Sequence, residues 1–209
     1  AKPVVVSKRN PDETRQRLLQ AAFQEIHRNG FRSASLDSIL ADTGVTKGAL
    51  YHHFPNKTEL GYAIVDELIH DMISNHWLKP LSRAENPIDG MIGVLHSYSD
   101  EDMREGCELG CPLNNLAQEL STVDEGFRLR LDGIFAMWRG AVADALRRGQ
   151  RSGYVRKDID PDQIGCFFVA GMEGGIGLAK TARNPEILIH CRDTMIAYLE
   201  TLRVPAVEA

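Results

Sequence analysis

Apolar residues recur along this chain at intervals of three and four positions, and no segment alternates between apolar and polar residues as a strand would. The first apolar stripe consists of Leu18, Leu19, Ala22, Phe23 and Ile26. Asn10 precedes the stripe as a candidate helix cap, and Gly30 follows it as a helix stop. The pattern therefore predicts a first helix that ends at Gly30.

Two short helices are predicted next. Ser35 caps a helix that ends at Gly44, and Thr46 caps a helix over 47–53 that ends before Pro55. Two helices joined by so tight a turn form a helix-turn-helix. The second helix of such a motif is the one that can enter the major groove of DNA.

The rest of the chain continues the helical pattern. A long fourth helix begins at Asn56 and runs to about Pro80. Breaks at proline and glycine then separate the predicted helices 87–103, 107–121, 124–151, 161–182 and 185–202. We therefore predict an all-α chain of about nine helices. Its N-terminal three-helix domain covers residues 1–60, and a larger helical domain covers residues 61–209.

The amino-acid composition favours a soluble protein over a membrane, secreted or disulfide-rich one. Charged residues make up 25% and hydrophobic residues 43% of the chain, which is typical of a soluble globular protein. No apolar run approaches the ~18 residues that would suggest a membrane span, and the N-terminus lacks the apolar core of a signal peptide. The four cysteines are too few for a disulfide scaffold. These features predict a cytoplasmic protein.

Charge is distributed unevenly along the chain. The net charge of −5 by itself argues against a nucleic-acid partner. Residues 1–60, however, carry nine lysines and arginines against six acids, whereas residues 61–209 carry 15 against 23. A basic domain attached to an acidic one can face phosphates. The helix-turn-helix therefore lies in the part of the chain whose charge suits DNA.

The predicted third helix has the composition of a DNA-recognition helix. Its first turn, Lys47-Gly48-Ala49, is small enough for a major groove about 12 Å wide. Gly48 costs about 1 kcal/mol relative to alanine in a helix, which is reasonable where backbone must approach DNA closely. The segment 14–67 resembles the DNA-binding domain of the TetR family (TetR/AcrR). The matching residues, all in register, are 35–39, 43–54 and 56–60.

This resemblance implies roles for individual residues. Those expected to contact phosphate and sugar are Ser35, Thr46, Tyr51, His52 and Lys57, and those expected to face base edges are Lys47, Gly48 and Ala49. His53 is left out because it is expected to point toward the first helix. Outside such a motif, Tyr51 would read as a half-buried core residue and His52 with His53 as a surface pair. The implied partner is a pseudo-palindromic operator in double-stranded DNA.

A glycine-rich segment over 170–177 lies in the predicted eighth helix. It fails as a nucleotide-binding loop because no strand precedes it and Lys180 stands where that pattern needs glycine or alanine. In the TetR family the last two long helices form a dimer interface. The residues we assign to a homodimer interface are Gly171, Gly174, Gly175 and Tyr198. Close packing of two helices within one chain is the alternative for the same glycines.

The resemblance also implies a small-molecule effector in the larger domain. The candidate wall of its site combines apolar, aromatic and a few polar side chains: Met72, His76, His96, Tyr98, Cys111, Asn114, Met137, Trp138, Phe168 and Met172. Such a set is typical of a small-molecule pocket and equally of an ordinary core. Its composition predicts an apolar or aromatic effector.

Cys107 and Cys111 lie one helical turn apart. A zinc site needs about four ligands, and only two are present here, so no metal is predicted. The segment 110–120 resembles a motif in one branch of the family, where some members sense electrophiles through cysteine. Pro112 places Cys111 near a helix N-terminus, which lowers the pKa of a thiol. A reactive sensor and a buried core cysteine both remain open.

Enzymatic activity is the main alternative from another class. The chain lacks Gly-x-Ser-x-Gly, a phosphate loop, His-Glu-x-x-His and the acid spacing of a calcium loop, so we predict no catalytic residues and no cofactor. The sequence predicts a ligand-responsive repressor that binds a palindromic operator as a homodimer and is released by a small molecule. The alternatives are an electrophile- or redox-sensing repressor acting through Cys111, a transcriptional activator, and a protein-interaction adaptor.

Overall fold

Helices account for the regular structure of residues 11–205, which are the residues that the computed structural model describes. The first three helices are α1 (Pro11–Asn29), α2 (Leu36–Thr43) and α3 (Lys47–His53). Consecutive helical segments over 57–83 form α4, which is followed by α5 (Pro87–His96), α6 (Asp100–Glu108) and α7 (Pro112–Leu120). The last three are α8 (Glu125–Ser152), α9 (Pro161–Ala182) and α10 (Pro185–Glu200). The predicted all-α fold is confirmed.

Polar caps start α2, α3 and α4 at the predicted places. The side chains of Ser35, Thr46 and Asn56 each accept a hydrogen bond from a backbone N–H in the first turn of α2, α3 and α4. Gly44 ends α2 with a φ of 60°, a left-handed conformation that glycine adopts without steric cost. The predicted cap of α1, Asn10, lies outside the described residues.

The long helix α4 is interrupted twice by π-helical turns. Its segments are Lys57–Ala63, the π segment Ile64–Ile69, His70–Ile73, the π segment Ser74–Leu78 and Lys79–Arg83. A π turn closes its hydrogen bonds over five residues instead of four, so each π segment accommodates one extra residue. Such turns are uncommon and often lie at functional positions. The sequence pattern predicted α4 as one regular helix and gave no sign of them.

The middle of the chain differs from the predicted helices. The expected helix over 87–103 is divided into α5 and α6, and the expected helix over 107–121 begins only at Pro112. Ser99 causes the first break, because it forms a reciprocal capping box with Asp102 at the start of α6. Gly110, at a φ of 78°, produces the second. Both predictions were therefore wrong in their boundaries, although most of the residues in these ranges are helical.

Two compact units make up the chain, and they separate after Leu68. The predicted domain boundary after residue 60 falls inside the first unit. In the first unit, α1 packs against α2, α3 and the start of α4, around Leu19, Leu50 and Leu60. In the second unit, the long helices α8 and α9 pack against each other and α10 packs on α9. Among the described residues, no helix is long and apolar enough to cross a membrane.

Candidate nucleic-acid interface and buried polar cluster

The turn between α2 and α3 is held by Thr43 and Arg17. The Thr43 hydroxyl donates to the Ile39 carbonyl at 3.1 Å and accepts from the Val45 backbone N–H at 3.3 Å. The Arg17 guanidinium donates to the Thr43 carbonyl at 2.5 Å, which ties α1 to the same turn. The orientation of α3 relative to α1 and α2 is thus fixed by hydrogen bonds as well as by the buried Leu50.

The outer face of α3 is small, polar and open. Thr46, Lys47 and Gly48 are exposed, and the exposed fraction of Tyr51 is 42%. A Cβ atom built on Gly48 would meet no atom of the protein within 4 Å. Of the two further predicted contact residues on this helix, His52 is exposed and Ala49 is half-buried. The structure therefore places six of the predicted DNA-binding residues on one short helix and its cap.

The other two predicted DNA-binding residues already have partners within the chain. The Ser35 backbone N–H donates to the Glu25 carboxylate at 3.1 Å, so only its hydroxyl remains for a phosphate. The Lys57 ammonium donates to the Ala34 carbonyl at 2.6 Å and the Arg32 carbonyl at 3.2 Å, and it lies 5.1 Å from the Phe31 ring centroid. Lys57 thus ties the start of α4 to the loop between α1 and α2.

An aromatic cluster lies inside the second unit. Its members are His76, Trp77, Tyr98, Trp138 and Phe168. The Trp77 ring is central, with centroid distances of 5.3 Å to Trp138, 5.2 Å to Phe168 and 6.5 Å to Tyr98. The His76 ring lies 4.4 Å from that of Tyr98. The sequence predicted four of these five residues as walls of an effector site, and the structure brings those four together around Trp77.

Several polar atoms of this region are buried without a hydrogen-bond partner among the described residues. They are His76 Nε2, Trp138 Nε1 and both carboxylate oxygens of Glu173 on α9. Such atoms are rare in folded proteins because each one costs free energy. The exposed fraction of Glu173 is 7%, and burial raises the pKa of its carboxyl to about 7. Burial also lowers the pKa of His76, which favours the neutral imidazole.

Sequence reasoning missed Glu173, although a signal was present. Glu173 is the single charged residue between Asp162 and Lys180, and the residues 164–179 are otherwise apolar or glycine. An isolated charge in the most apolar part of a helix either faces solvent or is buried for a reason. The glycines on each side favoured the interpretation of this segment as a helix-packing face.

Cys111 is not the activated thiol that its place before α7 predicted. The pKa of this thiol is raised well above its usual range, first by burial and then by the neighbouring Glu173 carboxyl. The backbone N–H groups of Leu113 and Asn114 at the start of α7 act in the opposite direction, but their effect is smaller. The prediction of a lowered pKa was therefore wrong, because loss of solvent outweighs the helix terminus here.

The remaining predicted wall residues divide into two groups. Met72, Asn114, Met137 and Met172 are partly buried. His96, in contrast, is exposed at the last residue of α5, because the same turn buries Val94 and Leu95. The prediction that His96 lines an interior site was therefore wrong.

The glycines assigned to a dimer interface have different surroundings. A Cβ on Gly171 would lie 2.5 Å from the Met195 side chain, and one on Gly175 would lie 3.0 Å from Cys191 Cβ, so both face α10 of the same chain. Close packing within one chain, the alternative for the same glycines, explains their small size, and their place in a dimer interface stays a prediction. Gly174 is exposed, with nothing within 4 Å of an added Cβ. Tyr198 is half-buried, and its ring lies 5.2 Å from that of Phe167.

Comparison with known proteins agrees with this arrangement. Residues 18–64 match the family described as bacterial regulatory proteins, tetR family, and residues 87–195 match the tetracyclin repressor-like C-terminal domain. The transcriptional regulator AcuR of Cereibacter sphaeroides is 30% identical over 181 residues, which cover 83% of this chain and 79% of AcuR. The transcriptional repressor DhaR of a Mycobacterium species is 27% identical, over 83% of this chain and 86% of DhaR.

Solved structures give the same result for the fold. A TetR transcriptional regulator from Chloroflexus aurantiacus superimposes with a TM-score of 0.81 at 25% identity, over 93% of this chain and 98% of that one. The reduced form of NemR from E. coli superimposes with a TM-score of 0.77 over 93% of this chain and 100% of that one, and at 23% identity this likeness concerns the fold alone. The chain therefore belongs to the TetR family of DNA-binding transcriptional regulators.

Proposed function

We propose that this protein is a repressor that binds a pseudo-palindromic operator as a homodimer and is released by a small-molecule effector. The observation that carries the proposal is the outer face of α3, where Lys47 stands beside an open Gly48 and nothing bulky prevents approach to base edges. The DhaR relative is named as a repressor, which favours repression over activation.

The surface of α9 and α10 supports the proposed homodimer. Phe167 and Leu178 on α9 have exposed fractions of 54% and 63%, and Ile189 on α10 has 39%. Large apolar side chains exposed on adjacent helices are typical of surfaces that a second copy covers. We place Gly174 and Tyr198 on this surface as well. Two copies related by a two-fold axis would present their α3 helices to half-sites about 34 Å apart.

The aromatic cluster supports the proposed effector site. Aromatic walls with a few polar atoms are typical of small-molecule sites, and here those polar atoms lack partners within the described chain. An effector needs to favour the non-binding state by only ~3 kcal/mol to weaken DNA affinity roughly a hundredfold. We therefore propose that an apolar or aromatic effector binds beside this cluster.

Selection of duplexes from a random DNA library with the purified protein tests the function. We expect enrichment of one imperfect palindrome, bound by two or more chains, with an affinity that falls steeply as salt rises. The protein should be unfolded, stripped of small molecules and refolded before selection, so that a bound effector cannot hold it in a released state. No enriched sequence after this treatment would contradict the proposal.

Replacing Lys47 with alanine is expected to weaken operator binding by roughly 1–3 kcal/mol and to relax base preference at one position per half-site. The reason is that lysine at the start of a recognition helix can donate to guanine acceptors in the major groove. Competition binding against single-base operator variants would measure both effects. Lys157→Ala removes the same charge from an exposed site in the second unit and serves as the control. Equal losses across all operator variants would place Lys47 among the phosphate contacts.

Replacing Gly48 with alanine is expected to change folding and DNA binding in opposite directions. The added methyl group meets no protein atom within 4 Å, so the free protein should gain up to about 1 kcal/mol from the better helix former. The same methyl group would occupy space that DNA needs, which should weaken operator binding on the order of tenfold. Urea unfolding and mobility shifts on one preparation would measure the two effects. Unchanged operator affinity would show that DNA does not approach the backbone there.

A further inference from the structure

We infer that the effector is a small organic cation, an amine or amidine on an apolar or aromatic frame, whose N–H groups bind the Glu173 carboxylate beside the aromatic cluster. This inference rests on the proposed function, because it specifies the chemistry of the proposed effector site. It goes beyond the general expectation of an apolar or aromatic molecule by assigning a charge to the ligand and a residue to that charge.

The first argument concerns the missing counter-ion of Glu173. No N–H or O–H group of the described residues donates to either carboxylate oxygen, and no lysine or arginine acts on this carboxyl. Lys180, two turns further along α9, donates instead to the Asn115 side chain at 3.1 Å. The Cys111 thiol faces the carboxyl, but a thiol is a weak donor. A buried carboxylate of this kind is stabilised by any ligand that brings a positive charge and N–H donors.

The second argument concerns Tyr98, the aromatic residue on which the charge of this carboxyl acts. The charge of Glu173 acts on Tyr98, whose ring lies 4.4 Å from His76 and 6.5 Å from Trp77. The faces of tryptophan and tyrosine rings attract cations, and the attraction increases when water is excluded. Both the carboxylate and the aromatic faces therefore attract an organic cation. The carboxylate repels an anion, and a purely apolar molecule would leave the carboxylate without a counter-ion.

The third argument concerns the unpaired donor in the same region. The Trp138 indole N–H has no acceptor among the described residues, and Trp138 is only 2% exposed. Its ring lies 5.3 Å from Trp77 and therefore belongs to the same cluster. An acceptor atom on the ligand, such as an ether or carbonyl oxygen, would satisfy this N–H. An oxygen acceptor is therefore a second feature that a ligand beside the cluster can carry.

Calorimetric titration of the full-length protein at pH 8, where the Glu173 carboxyl is mostly ionised, with matched ligands tests the inference. The probes are the methylamine, methanol and carboxylate derivatives of benzene, naphthalene and cyclohexane, so that each frame is compared in cationic, neutral and anionic form. We expect at least one amine to bind on the order of tenfold more tightly than its alcohol, and all three carboxylates to bind more weakly than their alcohols. If no amine binds more tightly than its alcohol, the inference is overturned.

Variants of two glutamates test whether the preference for amines over alcohols depends on Glu173. Glu173→Gln is expected to abolish the preference for the amine, and Glu173→Asp to retain part of it, because the aspartate keeps the charge with a shorter reach. Glu186→Gln makes the same chemical change at an exposed position on α10 and should leave the preference intact. Circular dichroism would verify that each variant is folded. A preference that persists in folded Glu173→Gln would also overturn the inference.

Failure of the inference can be told apart from failure of the proposed function. The titrations use no DNA, and the selection of operator sequences uses no effector. An enriched palindrome with no preference for amines would support the proposed repressor function and contradict the inference of a cationic effector. A preference for amines without any enriched DNA sequence would support the cationic ligand and contradict the proposed repressor function.

Discussion

Replacing Glu173 with glutamine is expected to remove a loss of stability that the wild-type protein shows as pH rises from 4.5 to about 7. The pKa of this carboxyl is about 7 in the folded protein and 4.5 in its unperturbed state. The folded state therefore binds this proton more tightly than the unfolded state does. Its stability is unaffected below pH 4.5, declines as pH rises through the window and reaches its lower level above pH 7. The shift corresponds to roughly 3 kcal/mol.

The measurement is urea unfolding of wild type and Glu173→Gln at pH 5 and pH 8, at one protein concentration. Cys111 and Tyr98 are the titratable groups that interact with this carboxyl, and the His76 ring lies 4.4 Å from that of Tyr98. His76 opposes the effect, because its lowered pKa costs stability when pH falls below its usual value of 6.5. The difference between the two proteins is therefore the informative quantity, with Glu186→Gln as control. Parallel pH profiles for wild type and Glu173→Gln would contradict the prediction.

Replacing Gly165 with alanine is expected to destabilise the protein by roughly 1–3 kcal/mol, although alanine is the better helix former. Gly165 lies where α9 crosses α8, and an added Cβ would lie 2.7 Å from the Arg139 carbonyl oxygen. Because that oxygen belongs to the backbone of α8, it cannot move aside as the end of a flexible side chain can. The two helices would have to separate at this crossing.

Gly133→Ala supplies the matched control for this prediction. Gly133 is exposed in the middle of α8, and a Cβ there would meet nothing within 4 Å. The same substitution should therefore stabilise the protein by about 1 kcal/mol at this position. Denaturation midpoints measured by helical circular dichroism would compare the two variants with wild type. A similar stabilisation in both would show that α8 and α9 can accommodate a methyl group at their crossing.

The sequence predicted the DNA-binding unit well because its signals are local. The caps Ser35 and Thr46 and the left-handed Gly44 each act within one turn of chain, so that residue types alone indicate where α2 and α3 begin and end. The resemblance of this segment to a known family added the direction in which each side chain faces. Lys57 was the exception, because its carbonyl partners lie more than twenty residues earlier.

Predictions for the larger unit were weaker because they depend on partners distant in sequence. The spacing of Gly171 and Gly175 indicates a face that admits a close neighbour, but it does not say whether that neighbour is α10 or a second chain. The thiol of Cys111 lies at a helix terminus by sequence, and only the fold brings Glu173 beside it. The division between α5 and α6 was missed because the apolar pattern continues past Ser99, whose reciprocal bonds with Asp102 decide the boundary.

The two π segments of α4 have a consequence for the evolution of this chain. A π turn holds one residue more than an α turn, and the helical segments on its two sides still present the same faces to their neighbours. A gene that lost a single codon within Ile64–Ile69 or Ser74–Leu78 could therefore encode a regular α-helix with both flanks still facing their partners. We expect homologues one residue shorter in this helix to show their alignment gap within these two segments, since loss of a residue elsewhere in α4 would rotate one flank by about 100°.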